Sequence, residues 1–226
     1  MTLLLAARGR SSAMHRVPAQ VENPELVKKR HEQIYNAVAE LFGKDGYPNT
    51  SMRDIAKASG INLSYLYKYV SSKNDVLYIF YEGVSRIYED TYKKLAHPTD
   101  MDAVEQLREF IRDILTIVHE NKFVLRSMWT ETRHLEPEWL KLVLAKESYI
   151  VECVEKLVMR GIDQGRFAVR DSFMTANLIQ YMMFVEPMKW WNLKRRYSVD
   201  DMIREVTNFI LRALGVPEDT SPSAGA

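Results

Sequence analysis

Thr50-Ser51-Met52-Arg53-Asp54-Ile55-Ala56-Lys57-Ala58-Ser59-Gly60-Ile61-Asn62-Leu63-Ser64-Tyr65-Leu66-Tyr67-Lys68-Tyr69-Val70 reads as two short helices joined by a tight turn. Ser51 followed three residues later by Asp54 is a reciprocal cap, in which the hydroxyl accepts from one backbone N–H and the acid from another. Gly60 supplies the turn, where a side chain would oppose left-handed backbone, and Asn62 caps the second helix. Ile55, Ala56, Ile61, Leu66 and Val70 fall where a small shared core needs apolar groups. That leaves Leu63, Ser64, Tyr65, Lys68 and Tyr69 as outward positions. The arrangement is a helix-turn-helix, whose second helix enters the major groove of DNA.

Outward from this segment, the same hydroxyl-to-acid spacing recurs at Ser72 with Asp75, Thr99 with Asp102 and Ser198 with Asp201, each ahead of an apolar-periodic run. Asn23-Pro24-Glu25 puts a cap, a first-turn proline and a first-turn acid in order. Ile34, Val38, Leu41 and Phe42 follow on one face, and Gly46 closes that helix with a left-handed residue. The pattern predicts about nine helices: 24 to about 44, 51 to 58, 63 to 70, 73 to 96, 101 to 120, 123 to 135, 138 to 164, 171 to 192 and 199 to 214. Nowhere do β-branched and aromatic residues alternate with polar ones between turn pairs, so the fold class is all-α.

Residues 1–22 have no helical period and residues 217–226 form a Pro/Ser/Ala/Gly tail, so both ends are expected to be flexible. Between them the chain divides into a helix-turn-helix domain at 23–72, a connecting helix at 73–97 and a larger helical domain at 98–216. The boundary falls at His97-Pro98, because the residue before a proline disfavours helical geometry. Charge divides there too. Up to His97 there are 14 Lys and Arg against 10 Asp and Glu, a balance of +4, and the remaining 17 against 20 give −3, which together return the net +1. A modestly basic N-terminal third is consistent with a polyanionic partner without deciding it.

A chain of 226 residues buries a substantial core without disulfides or metal. Its one cysteine, Cys153, excludes a disulfide framework and a zinc site built of several thiolates. No apolar run approaches the roughly 18 residues of a membrane span. The opening Met1-Thr2-Leu3-Leu4-Leu5-Ala6-Ala7 has no cationic start, and Arg8 and Arg10 cut it short of a secretory signal. The expectation is a cytoplasmic protein with no membrane partner.

The stretch from Phe42 to Leu77, with Gly46-Tyr47, Thr50, Arg53-Asp54-Ile55-Ala56, Gly60, Leu66-Tyr67, Tyr69-Val70, Ser72-Lys73 and Leu77, resembles the DNA-binding domain of the TetR/AcrR family of transcriptional repressors. The resemblance implies a homodimer that binds a palindromic operator and lets go when a small molecule fills the C-terminal domain. It places DNA contacts on Ser51 and Arg53, on Leu63, Ser64, Tyr65, Tyr67, Lys68 and Tyr69, and on Lys73. Tyr67 and Lys73 suit phosphates, whereas Arg53 is long enough to reach a base edge. Apolar Leu63 departs from many relatives and puts the recognised base sequence in doubt, since it would touch a thymine methyl. Lys28-Lys29-Arg30 is either a solvated face or a phosphate contact. Arg8, Arg10 and Arg16 form either a minor-groove arm or an uninvolved leader.

Residues 171 to 192 are apolar almost all round, which requires cover on both sides. The last helix carries a continuous stripe. Phe173 and Tyr181 of the first, with Met202, Val206, Phe209, Ile210 and Ala213 of the second, are the candidate dimer interface, two copies making the four-helix contact that the resemblance implies. Pro187 predicts a kink near Phe184 to Met188. Met128, Trp129, Trp139, Tyr149, Met182, Met183, Met188 and Trp190 are expected to line an apolar effector pocket there. Trp129-Thr130-Glu131-Thr132-Arg133-His134-Leu135 further resembles members that sense acyl-CoA esters. That likeness implies a CoA phosphate at Arg133 or at Lys194-Arg195-Arg196, the latter otherwise a solvated loop.

Signs of an enzyme are missing. His31-Glu32 has no second histidine at the zinc-protease spacing, and phosphate-loop, dinucleotide-loop and serine-elbow patterns do not occur. His119 and His134 are too scattered for a metal site, and Cys153 reads as core filler. No cofactor or metal is expected, only a small-molecule effector. The alternative function is a ligand-independent DNA-binding or architectural protein, separable by whether any metabolite weakens binding.

Overall fold

The computed structural model describes residues 17–97 and 99–217. Arg8, Arg10 and Arg16, Pro98, and the tail from residue 218 lie outside the described residues. Those described form nine α-helices and no strand: α1 (Pro24–Asn49), α2 (Met52–Ala58), α3 (Leu63–Leu66), α4 (Lys73–Ala96), α5 (Ala103–Glu131), α6 (Pro137–Asp163), α7 (Ser172–Met183), α8 (Val185–Leu193) and α9 (Val199–Ala213), with a 3-10 turn at Thr132–His134 after α5.

The helix starts follow from capping chemistry. Asn23 accepts from the Leu26 N–H at 3.1 Å, and Ser51, Ser72 and Ser198 each form the reciprocal box with Asp54, Asp75 and Asp201. The Thr99 expectation is corrected. Asp102 itself caps α5, accepting from the Val104 N–H at 2.9 Å, while Thr99 serves only the Met101 N–H. Gly46, at φ 75°, ends the regular part of α1 and a last turn through Pro48 follows.

Three elements depart from the predicted spans. The helices expected at 101 to 120 and 123 to 135 are one bent helix, α5, with the irregularity at Asn121 (φ −114°, ψ 15°). No glycine or proline stops the chain there, and the Asn121 amide bonds the Ile117 carbonyl at 2.8 Å, which stabilises the bend. The helix expected at 171 to 192 is divided at Phe184, three residues before Pro187, as the proline predicts. The recognition helix is regular only over Leu63–Leu66, then tightens: Lys68 N–H bonds Tyr65 O and Tyr69 N–H bonds Leu66 O, at 3.1 and 2.9 Å.

α5 runs through the middle of the molecule and touches α1, α4 and all four helices from α6 to α9. Its buried face, including Leu107, Ile111, Ile114, Val118 and Leu125, forms the core of the larger domain. α1 lies across α4 and is very close to it at Gly83, where an added Cβ would sit 2.1 Å from the Tyr35 ring. Among the described residues no helix is long and apolar enough to cross a membrane.

Candidate functional site

The reading head is built from α2 and α3 on a platform of α1. Gly60, at φ 66°, makes the turn, and the Asn62 side chain accepts from Tyr65 N–H at 2.7 Å to start α3. Ser51, Arg53, Ser64, Tyr67 and Lys68 are exposed. Leu63 and Tyr65 are half-buried and pack against the core. The Ser51 hydroxyl is engaged in its cap, donating to Asp54 Oδ2 at 2.5 Å.

Tyr69 is not an outward position. It is fully buried, because the tightened last turn has about three residues per turn and brings Tyr69 under Leu66. Its hydroxyl donates to that of Tyr65 at 2.8 Å, with the two rings edge to face. That bond, with Arg30 and Lys68 nearby, holds the Tyr65 phenol below its ordinary range. Lys73 is half-buried, its ammonium 4.3 Å from the centre of the Tyr47 ring and 3.3 Å from Pro48 O. Burial lowers its pKa, opposed by Glu131.

Sequence reasoning missed how α1 pins this head. His31 Nε2 lies 2.9 Å from Tyr69 O, which makes the Nε2–H tautomer the donor. Burial lowers the His31 pKa, opposed by that same carbonyl. Gln33 Nε2 donates to Ser59 O, and the Arg30 guanidinium lies over the Tyr65 ring at 5.4 Å. Part of the expected flexible arm is docked as well: Val17 is buried and Gln20 N–H donates to Lys68 O at 2.9 Å. The available signal was positional, since Arg30 and His31 sit one turn before Ile34 on its buried face.

The second candidate site is a cavity of about 790 Å³ walled by α4 (Tyr81), α5 (Met128, Trp129), the 3-10 turn (Thr132), α6 (Val143 to Glu152) and α7 (Phe173, Asn177, Gln180, Tyr181). Its charged lining residues are Glu147 and Glu152, with no lysine or arginine. Burial raises the Glu147 pKa, against a hydrogen bond from Tyr88. Of the expected pocket residues only Met128 and Trp129 line this cavity.

The remaining expectations are corrected by placement. Trp139 is buried and stacks on Tyr78 at 4.2 Å. Met183 is fully buried core. Tyr149 borders a recess of about 60 Å³ beside Tyr88, and Met188 one of about 80 Å³ beside Phe184. Met182 faces a groove of about 290 Å³ shared with Met202 and Phe209. Trp190 packs on Phe123 at 5.1 Å, with Lys194 over it at 3.8 Å. α7 packs on α6 and α8 on α5, and the large cavity is lined by α7 and not by α8, whose Pro187 is buried. Arg133 is exposed next to Thr132, its Nε 3.3 Å from His134 Nε2.

The C-terminal end of α5 and the 3-10 turn after it adjoin both sites. Met128 of α5 and Thr132 of the 3-10 turn line the cavity, while Ser127 between α5 and α1 donates to Phe42 O at 3.3 Å. The Tyr81 hydroxyl donates to Met128 O and lies 2.5 Å from the Thr132 hydroxyl. Beyond the turn, Asn74 bonds both His134 O and Glu136 N–H, and the His134 ring lies 5.5 Å from that of Tyr47. These contacts link the cavity wall to α1 and to the start of α4.

Outside the cavity, α7 to α9 expose Leu178, Trp191 and Phe209, and Tyr181 at the cavity's edge is exposed as well. Of the candidate interface residues, Phe173, Tyr181, Phe209 and Ala213 are exposed and Val206 is half-buried. Ile210 is fully buried inside the protomer, where α9 packs against α5, and Met202, largely buried, borders the groove beside Phe209. Among the described residues no three His, Cys, Asp or Glu side chains gather to hold a metal.

Residues 34–77 match the family model described as bacterial regulatory proteins, tetR family, and residues 100–214 match the tetracyclin repressor-like C-terminal domain. The chain is similar to the HTH-type transcriptional regulator HbdR of Aromatoleum sp. (strain CIB), 23% identical over 198 residues that cover 86% of this chain and 84% of that one. A regulatory protein of the tetR family from Rhodococcus RHA1 shares the fold with a TM-score of 0.74 at 19% identity, covering 84% of this chain and 99% of its own. AibR in complex with isovaleryl coenzyme A and operator DNA gives a TM-score of 0.69 at 20% identity, over 84% and 100%.

Proposed function

The chain belongs to the tetR family of bacterial regulatory proteins, and from that premise we propose that it is a homodimeric repressor released from a palindromic operator by an acyl-coenzyme A ester. It is a DNA-binding transcriptional regulator and not an enzyme, as its family and relatives are. The proposal adds the direction of regulation, the effector, the dimer and a cytoplasmic setting. Ser51, Arg53, Leu63, Ser64, Tyr65, Tyr67 and Lys68 carry the DNA contacts, Tyr69 supports them from below, and the exposed faces of α7 to α9 pair the protomers.

The observation that carries this reading is the end of α5 and the 3-10 turn after it, where Met128 and Thr132 line a cavity of about 790 Å³ while Ser127 bonds α1, the platform of the head. A cavity of that size suits an acyl chain, and AibR, which has the same fold, was crystallised with isovaleryl coenzyme A and operator DNA. The coenzyme phosphates remain outside, near the exposed Arg133, because the cavity has no cation to meet them. Release requires the ligand to prefer the arrangement whose two recognition helices no longer fit grooves about 34 Å apart. Inverting the population takes about 5 kcal/mol of differential affinity, within reach of several methylenes at about 0.8 kcal/mol each.

The test is a chain-length series of acyl-coenzyme A esters titrated against protein bound to labelled operator. Potency of release should rise to an optimum length and then fall as the cavity fills. A flat series with no change in Trp129 fluorescence would remove this effector class.

A further inference from the structure

Two cations of the reading head gather on one ring. The Arg30 guanidinium, from α1, lies 5.4 Å from the centre of the Tyr65 ring, and the Lys68 ammonium, from the tightened turn after α3, lies 5.7 Å from it. Both are within the range of cation–π attraction. Arg30 is held there by a hydrogen bond to Gln33 Oε1 at 2.6 Å, and Gln33 in turn donates to Ser59 O. Among the described residues neither cation has a carboxylate within ion-pair distance. Like charges brought together repel, and an anion placed between them relieves the repulsion.

The Tyr65 hydroxyl completes the set. Tyr69, buried beneath, donates its proton to the Tyr65 oxygen at 2.8 Å. That bond uses the Tyr65 oxygen as an acceptor and leaves the Tyr65 proton for another partner. The phenol lies at the surface, where the bond from Tyr69 and the charges of Arg30 and Lys68 lower its pKa. A more acidic phenol is a stronger donor, most of all to an ionised oxygen. A guanidinium, an ammonium and a polarised phenol match the oxygens of a phosphodiester better than a base edge, whose acceptors are neutral. We propose that Arg30, Lys68 and Tyr65 form a seat for one backbone phosphate of DNA, bridging α1 and α3, and that Tyr69 is a positioning residue that directs the Tyr65 proton toward it. Tyr65 then fixes the register of α3 and does not read a base. The proposal rests on α3 as the helix that enters the groove, and adds a contact from α1 and the residue that orients Tyr65.

The test uses two duplexes of equal length, one selected from random-sequence DNA for tightest binding to the wild-type chain and one of scrambled sequence, each titrated over a range of salt concentrations. Tyr65→Phe should weaken both by the same factor, about tenfold, as the loss of one hydrogen bond to an ionised group does, with the salt slope unchanged. Arg30→Gln should reduce the slope on both by about one unit per half-site, and Arg30→Lys should restore it. Tyr69→Phe keeps the ring that fills the core. It should weaken both duplexes about threefold and have no effect in a Tyr65→Phe background, because it acts through that hydroxyl. Replacing single phosphates of the selected duplex by neutral methylphosphonate should reveal one position per half-site where the wild type loses affinity and where neither Tyr65→Phe nor Arg30→Gln has a further effect. All variants are compared at unchanged circular dichroism.

A Tyr65→Phe loss confined to the selected duplex would make Tyr65 a base reader and overturn the seat. So would an unaltered salt slope in Arg30→Gln, or methylphosphonate positions that differ between the two variants. A Tyr69→Phe loss that persists in the Tyr65→Phe background would overturn the positioning role. The expected slopes and masking on a chain with equal affinity for both duplexes would support the seat and overturn the operator reading.

Discussion

Asn74, in the first turn of α4, donates from Nδ2 to His134 O at 2.6 Å, across 60 residues of sequence, while its Oδ1 accepts from Glu136 N–H. This side chain fastens the helix that leaves the reading head to the segment that closes the cavity. Asn74→Ala should lower stability by about 2 kcal/mol, because two partly buried hydrogen bonds are lost together, as urea denaturation would measure. Effector affinity should change little, whereas the effector's leverage on operator binding should fall by a factor of about 10, the scale of one coupling contact. Unchanged leverage in a folded variant would mean that the signal takes another route.

Arg53, Lys68 and Lys73 should separate by role. Arg53→Ala should relax base choice at one position per half-site, with a loss of about 1–3 kcal/mol. The exposed Lys68 should give up about one unit of salt slope per half-site when replaced by Ala. Lys73, engaged with Tyr47 and Pro48, should lose less slope and more stability. Operator titrations over a range of salt concentrations would check all three.

Tyr69 should behave as core. Tyr69→Phe removes only the hydroxyl bond to Tyr65 and should shift stability by about 1 kcal/mol or less. Tyr69→Ala should cost about 3–5 kcal/mol, as aromatic truncations in a core do. A Phe variant that folds normally but loses operator specificity would return Tyr69 to the DNA surface.

The exposed Phe209, at 56%, and the buried Ile210 next to it make a paired test of the interface. Phe209→Glu should give a folded monomer in sedimentation at micromolar concentration. Ile210→Ala should lower stability by about 2–5 kcal/mol through its own protomer and leave the interface residues in place.

His31 sets a pH dependence. Burial lowers its pKa, so the unfolded chain, titrating near 6.5, binds the proton more readily than the folded one. Its contribution is therefore complete above pH 6.5 and is lost as the pH falls below that value through the lowered folded pKa. His31→Gln, which can still donate to Tyr69 O, should flatten the decline in stability between pH 7 and 5. An unaltered slope would mean that other groups carry it.

The parts legible in the sequence were those decided within a few residues. Three of the four reciprocal caps formed, because a serine and an aspartate three apart need no distant partner. Tyr69 was misplaced because an assumed α-helical phase puts it beside Tyr65, whereas the tightened turn puts it beneath Leu66. The cavity was half legible. Met128 and Trp129 belong to it, but a proline marks where a helix breaks, not on which side the space opens. The bond from the Tyr92 hydroxyl to Gln180 gave no sign at all, since it joins two helices 88 residues apart in the sequence.

The missing side chain at Gly83 limits how this protein can change over generations. With the Tyr35 ring filling the place of a Cβ, alanine there would require the ring or the helix that carries it to shift, so substitution is restricted at the point where head and body are fitted together. The cavity-facing positions Val143, Leu144 and Val151 lie on another helix and touch none of that fit. A lineage can then exchange one effector for another by drift in α6 while the operator it reads stays the same.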